Sequence, residues 1–185
     1  MLRCFLRSVS LLAALHCGLA FAAEPPSPAR VFETQLTSLE REFVPLVEAM
    51  PESLFTFAPS AGAFKGVRTF AMQSKHVAFV TYEISAVLLG EKNPSAGGPD
   101  ENGPADVQSR EQVVKYVKDA FAYAHKALAK LTSENLMEQT VDPFNPKGKR
   151  TRLDSAIILI SHPFDHYGQM VEYARLNNVI PPASR

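Results

Sequence analysis

The sequence has 185 residues, of which 46% are hydrophobic, and its 19 basic and 19 acidic side chains give a net charge of zero. This length favours a single domain, and the composition is that of an ordinary globular protein. The charge balance favours neither a nucleic-acid-binding surface nor a charged interaction tail.

The N-terminal segment has the pattern of a secretory signal peptide. Arg3 and Arg7 precede an apolar stretch at residues 11–21, and Ala20 and Ala22 satisfy the small-x-small rule for cleavage. The stretch is shorter than the roughly 20 residues that a membrane-spanning helix needs. We therefore predict a signal peptide at residues 1–22, with an uncleaved N-terminal anchor as the alternative.

Export and cleavage would leave residues 23–185 as one domain in the periplasm or outside the cell, without membrane attachment. Cleavage also removes Cys4 and Cys17, which are the two cysteines of the chain. The mature domain would then have no disulfide, no thiolate nucleophile and no cysteine ligand for a metal.

Apolar residues recur in steps of three and four along four segments of the domain, which is the period of an amphipathic helix. The spacing predicts helices over residues 30–50, 66–89, 109–131 and 151–176. Ser109 and Gln112 form a capping-box pattern at the start of the third helix, and Gly90 is a natural end for the second. We predict an all-α protein with the fold of a four-helix bundle.

Three further expectations concern the segments within and between these helices. Pro45 lies inside the first helix and predicts a kink there. Residues 133–150 are predicted to be irregular, and no segment shows the alternation of a β-strand. Residues 156–160 are apolar on every side, which predicts that the fourth helix is the most buried one.

His162 and His166 are four residues apart in the fourth predicted helix. At this spacing they lie one turn apart on the same face, where two imidazoles can bind one metal ion. Because Leu159 and Met170 make that face apolar, both rings should be at least partly buried and in need of polar partners. A surface pair that arose by chance is the alternative interpretation.

His76 lies in the middle of the second predicted helix, also on a mostly apolar face. By itself such a residue is more often a hydrogen-bonded core histidine than a ligand. Three inward-facing histidines in one small bundle nevertheless favour a shared metal site. His125 lies beside the apolar stripe of the third helix, so we interpret it as a boundary residue and not as a ligand.

A longer pattern surrounds the histidines of the second and fourth helices. It consists of GVRTF at residues 66–70 leading to His76, HPFDHYGQ at 162–169, YAR at 173–175 and NNVIPP at 177–182. In this pattern the chain resembles the DinB/YfiT-like metalloenzymes over nearly all of residues 23–185. The resemblance implies a DinB-like four-helix bundle in which His76, His162 and His166 hold one divalent metal ion.

The resemblance also implies the metal and the class of chemistry. Relatives bind zinc, nickel or similar divalent ions, so we expect zinc or nickel, with iron, manganese and copper as further candidates. Characterised relatives include thiol-dependent transferases and isomerases that use a low-molecular-weight thiol. Because such thiols are mainly cytoplasmic, an exported member need not share that reaction.

Three protein ligands leave one position open on a tetrahedral ion, which can then act as a Lewis acid or provide a hydroxide nucleophile. Other side chains are candidates to orient the ligand rings through hydrogen bonds. These candidates are Asp165, Gln169, Gln73 and Glu83. Tyr167 and Arg175 are candidates for binding an anionic substrate group, with packing and surface positions as the alternative.

Pro163 lies between the two histidines of the fourth helix and removes the hydrogen bond to the carbonyl of Leu159. If the helix breaks there, the face shared by His162 and His166 is disturbed. If the helix only bends, the shared face survives. The sequence leaves both outcomes open.

We therefore predict a metal-dependent hydrolase or thiol-type transferase that acts on an unidentified small molecule. One alternative is a non-enzymatic bundle in which the ion ties the helices together or is carried. Another is an interaction module without metal. We expect no nucleic-acid partner, and a homodimer is compatible with a helical bundle.

Overall fold

Four helices make up most of the protein in the computed structural model, which describes residues 25–59, 65–95 and 101–185. They are α1 Pro28–Ala49, α2 Phe70–Leu89, α3 Arg110–Leu128 and α4 Arg152–Leu176. Each follows a serine or threonine whose side-chain oxygen accepts a hydrogen bond from the first turn. Such caps satisfy backbone donors that have no partner inside the helix. The predicted all-α, four-helix fold is confirmed.

The start of α2 differs from its prediction by four residues. Gly66 has a φ of 88°, and Thr69 caps the first turn, so the helix begins at Phe70. Gly90 ends the helix as predicted, with a φ of 67° in the left-handed region that glycine adopts without steric cost.

α2 is the most buried of the four helices, and the prediction that the fourth helix would be is wrong. Fourteen of the 20 residues of α2 are buried, against nine of the 25 residues of α4. α2 packs against α3 and α4, and α1 packs against the same two helices. The apolar run of α4 exceeds what its packed face covers, so Ile157 remains 47% exposed.

The apolar stripes of all four helices meet in one core. Phe43, Phe70, Phe121 and Met170, one from each helix, are all fully or almost fully buried. Burial of a side chain of this size stabilises the fold by roughly 1.5–3 kcal/mol.

Both prolines inside helices leave those helices continuous. Pro45 lies within α1 and Pro163 within α4. Since α4 runs without interruption through Pro163, His162 and His166 remain on one face, and the outcome in which the helix breaks is excluded. The kink expected at Pro45 stays a prediction.

A β-hairpin precedes α4, where irregular structure was predicted. Strand β1 Gln139–Asp142 pairs antiparallel with β2 Asn145–Thr151. The prediction that no segment is a strand is therefore wrong. The register shifts inside the ladder, which breaks the alternation by which a strand is recognised. β1 packs against α2 and β2 against α4, so the hairpin lies beside both histidine-bearing helices.

Within the described residues, no helix is long and apolar enough to cross a membrane. The predicted signal peptide at residues 1–22 lies outside the described residues.

Candidate metal centre

Three histidines from two helices meet at one point of the bundle. His76 projects from α2, while His162 and His166 project from α4. Nε2 of His162 lies 3.2 Å from Nε2 of His76 and 3.0 Å from Nε2 of His166. The ligand atoms of the three residues all lie within 4.8 Å of one another. The structure thus brings together the three histidines that the sequence placed on inward helix faces.

The spacing of these nitrogens fits a single divalent ion. Zinc binds histidine nitrogen at about 2.0–2.1 Å, so two ligands of a tetrahedral ion lie roughly 3.4 Å apart. The observed separations are a few tenths of an ångström shorter. The rings meet edge to face, with centroids 4.4 to 5.1 Å apart, so the Nε2 atoms converge. Imidazole donors suit zinc, nickel, copper and iron.

Burial keeps the three rings neutral. Desolvation, followed by repulsion between the histidines, lowers the pKa of His162 to about 3 and that of His166 to about 4. Desolvation also lowers the pKa of His76, although its hydrogen bond to a backbone carbonyl opposes the shift. At neutral pH these rings carry free lone pairs, and neutral imidazole is the form that binds a metal.

A chain of two amides connects His166 to a surface carboxylate. Nε2 of Gln73 lies 2.7 Å from Nδ1 of His166 and donates to Oε1 of Gln169, also at 2.7 Å. Nε2 of Gln169 in turn donates to Asp165 at 2.9 Å. Three of the four residues predicted to orient the ligands therefore form one hydrogen-bonded chain that ends on a histidine ring.

Glu101 orients His76, and no pattern in the sequence indicated this contact. Its backbone oxygen lies 2.9 Å from Nδ1 of His76, and its carboxylate lies 3.9 Å from the same atom. Nδ1–H donates to this oxygen, which leaves the lone pair of the ring on Nε2. Glu101 lies outside any helix, where no periodic signal marks it. Glu83, which was predicted to have this kind of role, instead accepts a hydrogen bond from Asn93.

Arg68 adds positive potential to the site from the segment before α2. Its charge contributes to the lowered pKa of all three histidines. Its Nε donates to Asn102 at 2.8 Å, and its backbone oxygen accepts a hydrogen bond from Tyr173 at 3.0 Å. These bonds tie Arg68 to the loop that carries Glu101 and to α4.

The sequence pattern of the DinB superfamily matches residues 35–170, a range that includes the three histidines. This chain belongs to the DinB superfamily. The fold is similar to the crystal structure of a DinB-like protein from Bacillus cereus ATCC 10987, with a TM-score of 0.64 and 17% identity. The similarity covers 82% of this chain and 93% of that chain. No curated protein shows a significant match to the sequence.

Membership in the DinB superfamily confirms the family that the residues around the histidines indicated. The similarity to the Bacillus cereus protein is a similarity of fold, and it agrees with the four helices described above. In this DinB chain the three histidines form a group compatible with a divalent metal ion.

Two residues of the DinB chain that were candidates for binding an anion have other contacts. Tyr167 packs against Phe43, with ring centroids 6.5 Å apart. Arg175 forms an ion pair with Glu172 at 2.6 Å on the exposed surface of α4. Both contacts agree with the packing and surface positions that were the alternative for these residues.

His125 lies outside the three-histidine group and binds carboxylates, in agreement with its interpretation as a boundary residue. Its Nδ1 lies 2.6 Å from Glu33, and its Nε2 lies 2.9 Å from Glu40. Burial by itself would lower the pKa of His125, but the hydrogen bonds and charges of the two glutamates outweigh burial and raise it. The two carboxylates thus favour the charged form of this ring, which joins α3 to α1.

A cavity of about 280 Å³ lies beside the histidines of this DinB fold. Its lining comes from α2, the loop after α2, the hairpin and α4. The lining residues are His76, Val80, Glu101, Phe144, Arg150, Ile158 and His162. A molecule bound in the cavity would therefore contact two of the three clustered histidines.

Proposed function

We propose that this DinB protein binds one divalent ion, zinc or nickel, on the Nε2 atoms of His76, His162 and His166. We propose further that it uses the ion to catalyse hydrolysis, or transfer of a thiol, on a small molecule. The observation that carries the proposal is the convergence of three neutral, largely buried imidazoles on one point. Lone pairs that face each other in a buried site repel unless a ring proton or a cation lies between them, and a divalent ion satisfies all three nitrogens at once.

The open position is what makes catalysis the favoured proposal. When bound, the ion would supply Lewis acidity toward a water or a thiol, because three protein ligands leave one position unfilled. A purely structural zinc site would normally have four protein ligands. A cavity lined by His76 and His162 supports this proposal, because a small molecule bound there would lie beside two of the residues that would hold the ion.

The ring proton of His76 is held where metal binding requires it, and that of His166 needs a rearrangement of the amides beside it. Nδ1 of His162 is buried without a hydrogen-bond partner in the described part of the chain. The backbone oxygen of Glu101 accepts the proton of His76 Nδ1. For Nε2 of His166 to bind an ion, its ring proton must lie on Nδ1, and Gln73 must then present its amide oxygen. A half turn of the Gln73 amide does this, and Gln169 then turns its own amide to donate to Gln73, which gives up the hydrogen bond from Gln169 to Asp165.

Metal analysis of protein purified without chelator or histidine tag tests the ligand assignment. We expect about one divalent ion per chain in the wild type, and loss of that ion in His162→Ala. His125→Ala is the matched control, because it removes a histidine whose ring nitrogens bind Glu33 and Glu40 instead. Equal metal content in all three proteins would show that the ion, if present, is bound elsewhere.

An activity screen tests the reaction class. The metal-loaded protein would be assayed on small esters and amides, and on electrophilic substrates with and without a low-molecular-weight thiol. Turnover that needs no thiol identifies a hydrolase, and turnover that requires one identifies a transferase. Activity that survives in His162→Ala would not belong to this site.

A structural or carrier function of the ion is the second candidate. His76 lies on α2 and the other two ligands lie on α4, so a bound ion would link two helices. Metal binding without turnover on any substrate of the screen would favour this candidate over catalysis.

We also propose that the protein is exported to the periplasm or the medium. Arg3, Arg7 and the apolar stretch at residues 11–21 support export. When the protein is expressed with its own N-terminus, the mass of the exported product should correspond to a chain without residues 1–22. A full-length mass in the cytoplasmic fraction would refute export. Analytical ultracentrifugation of the same material measures whether the protein is a monomer or a homodimer.

A further inference from the structure

The hairpin supplies two residues to the wall of the cavity beside the histidines. Phe144 comes from its turn and Arg150 from β2. The side chain of Arg150 is only 17% exposed, and its Nε is buried without a hydrogen-bond partner in the described part of the chain. Buried donors are nearly always paired in folded proteins, and an unpaired one calls for an explanation. Arg150 also lines the cavity, so a rotation of its side chain would bring this donor to an acceptor on a molecule bound there.

Asp142 positions both hairpin residues at the cavity. Its Oδ2 accepts a hydrogen bond from Nη2 of Arg150 at 2.6 Å, and its Oδ1 accepts one from the backbone N–H of Phe144 at 3.0 Å. One carboxylate therefore fixes a guanidinium and an aromatic side chain together. Because the ion pair uses Nη2, Nε of Arg150 remains for a second acceptor.

The remaining wall and the size of the cavity limit what can bind. Val80, Phe144 and Ile158 give it an apolar surface. Its volume of about 280 Å³ would hold roughly ten non-hydrogen atoms, if each takes about the 30 Å³ that a water molecule occupies in the liquid. The cavity thus suits a small molecule with an apolar body and one strong acceptor group.

We propose that this cavity is the substrate subsite and that Arg150 is its anion-binding residue, for a small carboxylate with an apolar body. The carboxylate accepts hydrogen bonds from the guanidinium of Arg150, and the apolar body lies against Phe144 and Ile158. A guanidinium matches a carboxylate in charge and geometry better than it matches a neutral acceptor. The inference rests on the proposed function, because it places this molecule beside two of the metal ligands.

Calorimetric titration of the zinc-loaded protein with phenylacetate, and with the neutral phenylacetamide, tests the subsite. We expect phenylacetate to bind more tightly than the amide, and Arg150→Gln to weaken phenylacetate binding by about tenfold or more, as expected for loss of a hydrogen bond to a charged group. Lys149→Gln is the matched control, because it removes an exposed positive charge from the neighbouring position of the same strand. This variant should bind phenylacetate like the wild type.

Asp142→Asn separates a binding function of Arg150 from a structural one. Asparagine keeps an acceptor for the backbone N–H of Phe144 but removes the negative charge that competes for the guanidinium. If Arg150 binds the ligand, Asp142→Asn weakens phenylacetate binding less than Arg150→Gln does, because the guanidinium is still present although it is less well positioned. If the Arg150–Asp142 pair only stabilises the hairpin, both Asp142→Asn and Arg150→Gln lose affinity equally, and the inference fails.

Metal content measured on the same samples distinguishes the two proposals. One ion per chain in the wild type and in Arg150→Gln, with equal phenylacetate affinity, overturns the subsite and leaves the metal site intact. One ion per chain without phenylacetate binding to the wild type has the same meaning. A wild type that takes up no ion overturns the proposed function, and the subsite inference fails with it.

Discussion

The histidines of this bundle occupy two kinds of surroundings, which shift the pKa of the ring in opposite directions. His76, His162 and His166 are crowded together and desolvated, so their pKa values are lowered. His125 has a glutamate on each ring nitrogen, so its pKa is raised. The same kind of side chain is therefore a neutral candidate ligand in one place, and in the other a ring that joins two helices and whose charged form two carboxylates stabilise. The partners that the fold supplies, and not the residue type, decide between these states.

Removal of the metal should give the largest difference between variants of the clustered histidines and variants of His125, and the quantity that differs is the melting temperature. Chelation should lower the melting temperature of the wild type strongly, because an ion present at 1,000 times its Kd stabilises the fold by about 4 kcal/mol. His125→Ala should keep this chelation-dependent shift, and His162→Ala should lack it. Differential scanning calorimetry with and without chelator measures the shift. Its absence in the wild type would exclude tight binding of an ion to the folded state.

We expect the ion to stay bound to a much lower pH than it would on histidines with unperturbed pKa values. Three histidines with unperturbed pKa values would lose about 10⁴-fold in apparent affinity between pH 8 and pH 5, because protons compete for the ligand atoms. With the pKa of His162 at about 3 and that of His166 at about 4, we expect a much smaller loss over this range. Competition with a chromophoric chelator across this range measures it. A full 10⁴-fold loss would show that the rings are not held neutral.

Loss of the amide that contacts His166 should weaken metal binding by about 10- to 100-fold, which is typical when a partner of a ligand ring is removed. Gln73→Leu makes this change, because leucine fills the space of Gln73 without a polar group. Gln73→Glu is the matched variant, since its carboxylate still accepts the proton on Nδ1 of His166. Zinc competition titrations should separate the two. Equal affinity for Gln73→Leu and the wild type would mean that the ring needs no acceptor at this position.

The smallest expected effect is the contribution of His125 to the free energy of unfolding. This contribution decreases as the pH rises, whereas metal binding increases with pH. A raised pKa in the folded state stabilises the fold fully below the unfolded pKa of about 6.5, and this contribution is lost as the pH rises through the folded pKa. We expect His125→Gln to lower the free energy of unfolding by about 1 kcal/mol at pH 5.5 and by less at pH 9, after allowing for solvent screening. Urea denaturation at both pH values measures it. A cost that does not depend on pH would show that His125 contributes by packing and not by charge.

Much of the candidate metal site could be predicted because it depends on local helical geometry. The four-residue spacing of His162 and His166 places both on one face of α4 whatever surrounds the helix. The apolar neighbours of His76 likewise indicate an inward position on α2. The ends of the helices could be predicted where a capping residue marks them, as at Ser109 and Gly90.

The features that the sequence did not predict depend on contacts between segments that are far apart in the chain. Glu101 reaches His76 from a loop, and a loop has no period that would mark the contact. The hairpin contains a register shift and two prolines, so its pattern is weak. α2 rather than α4 is the most buried helix because burial depends on the neighbours of a helix as well as on its own hydrophobicity.

The sequence by itself therefore determined the helices, their inward faces and the three candidate ligands, since all of these follow from the regular turn of an α-helix. The tertiary structure decided that the three Nε2 atoms converge, that His125 instead binds two glutamates, and that Arg150 reaches the cavity. These features depend on distances between segments that are far apart in the chain. Only the packing of the helices, and of the hairpin against them, sets those distances.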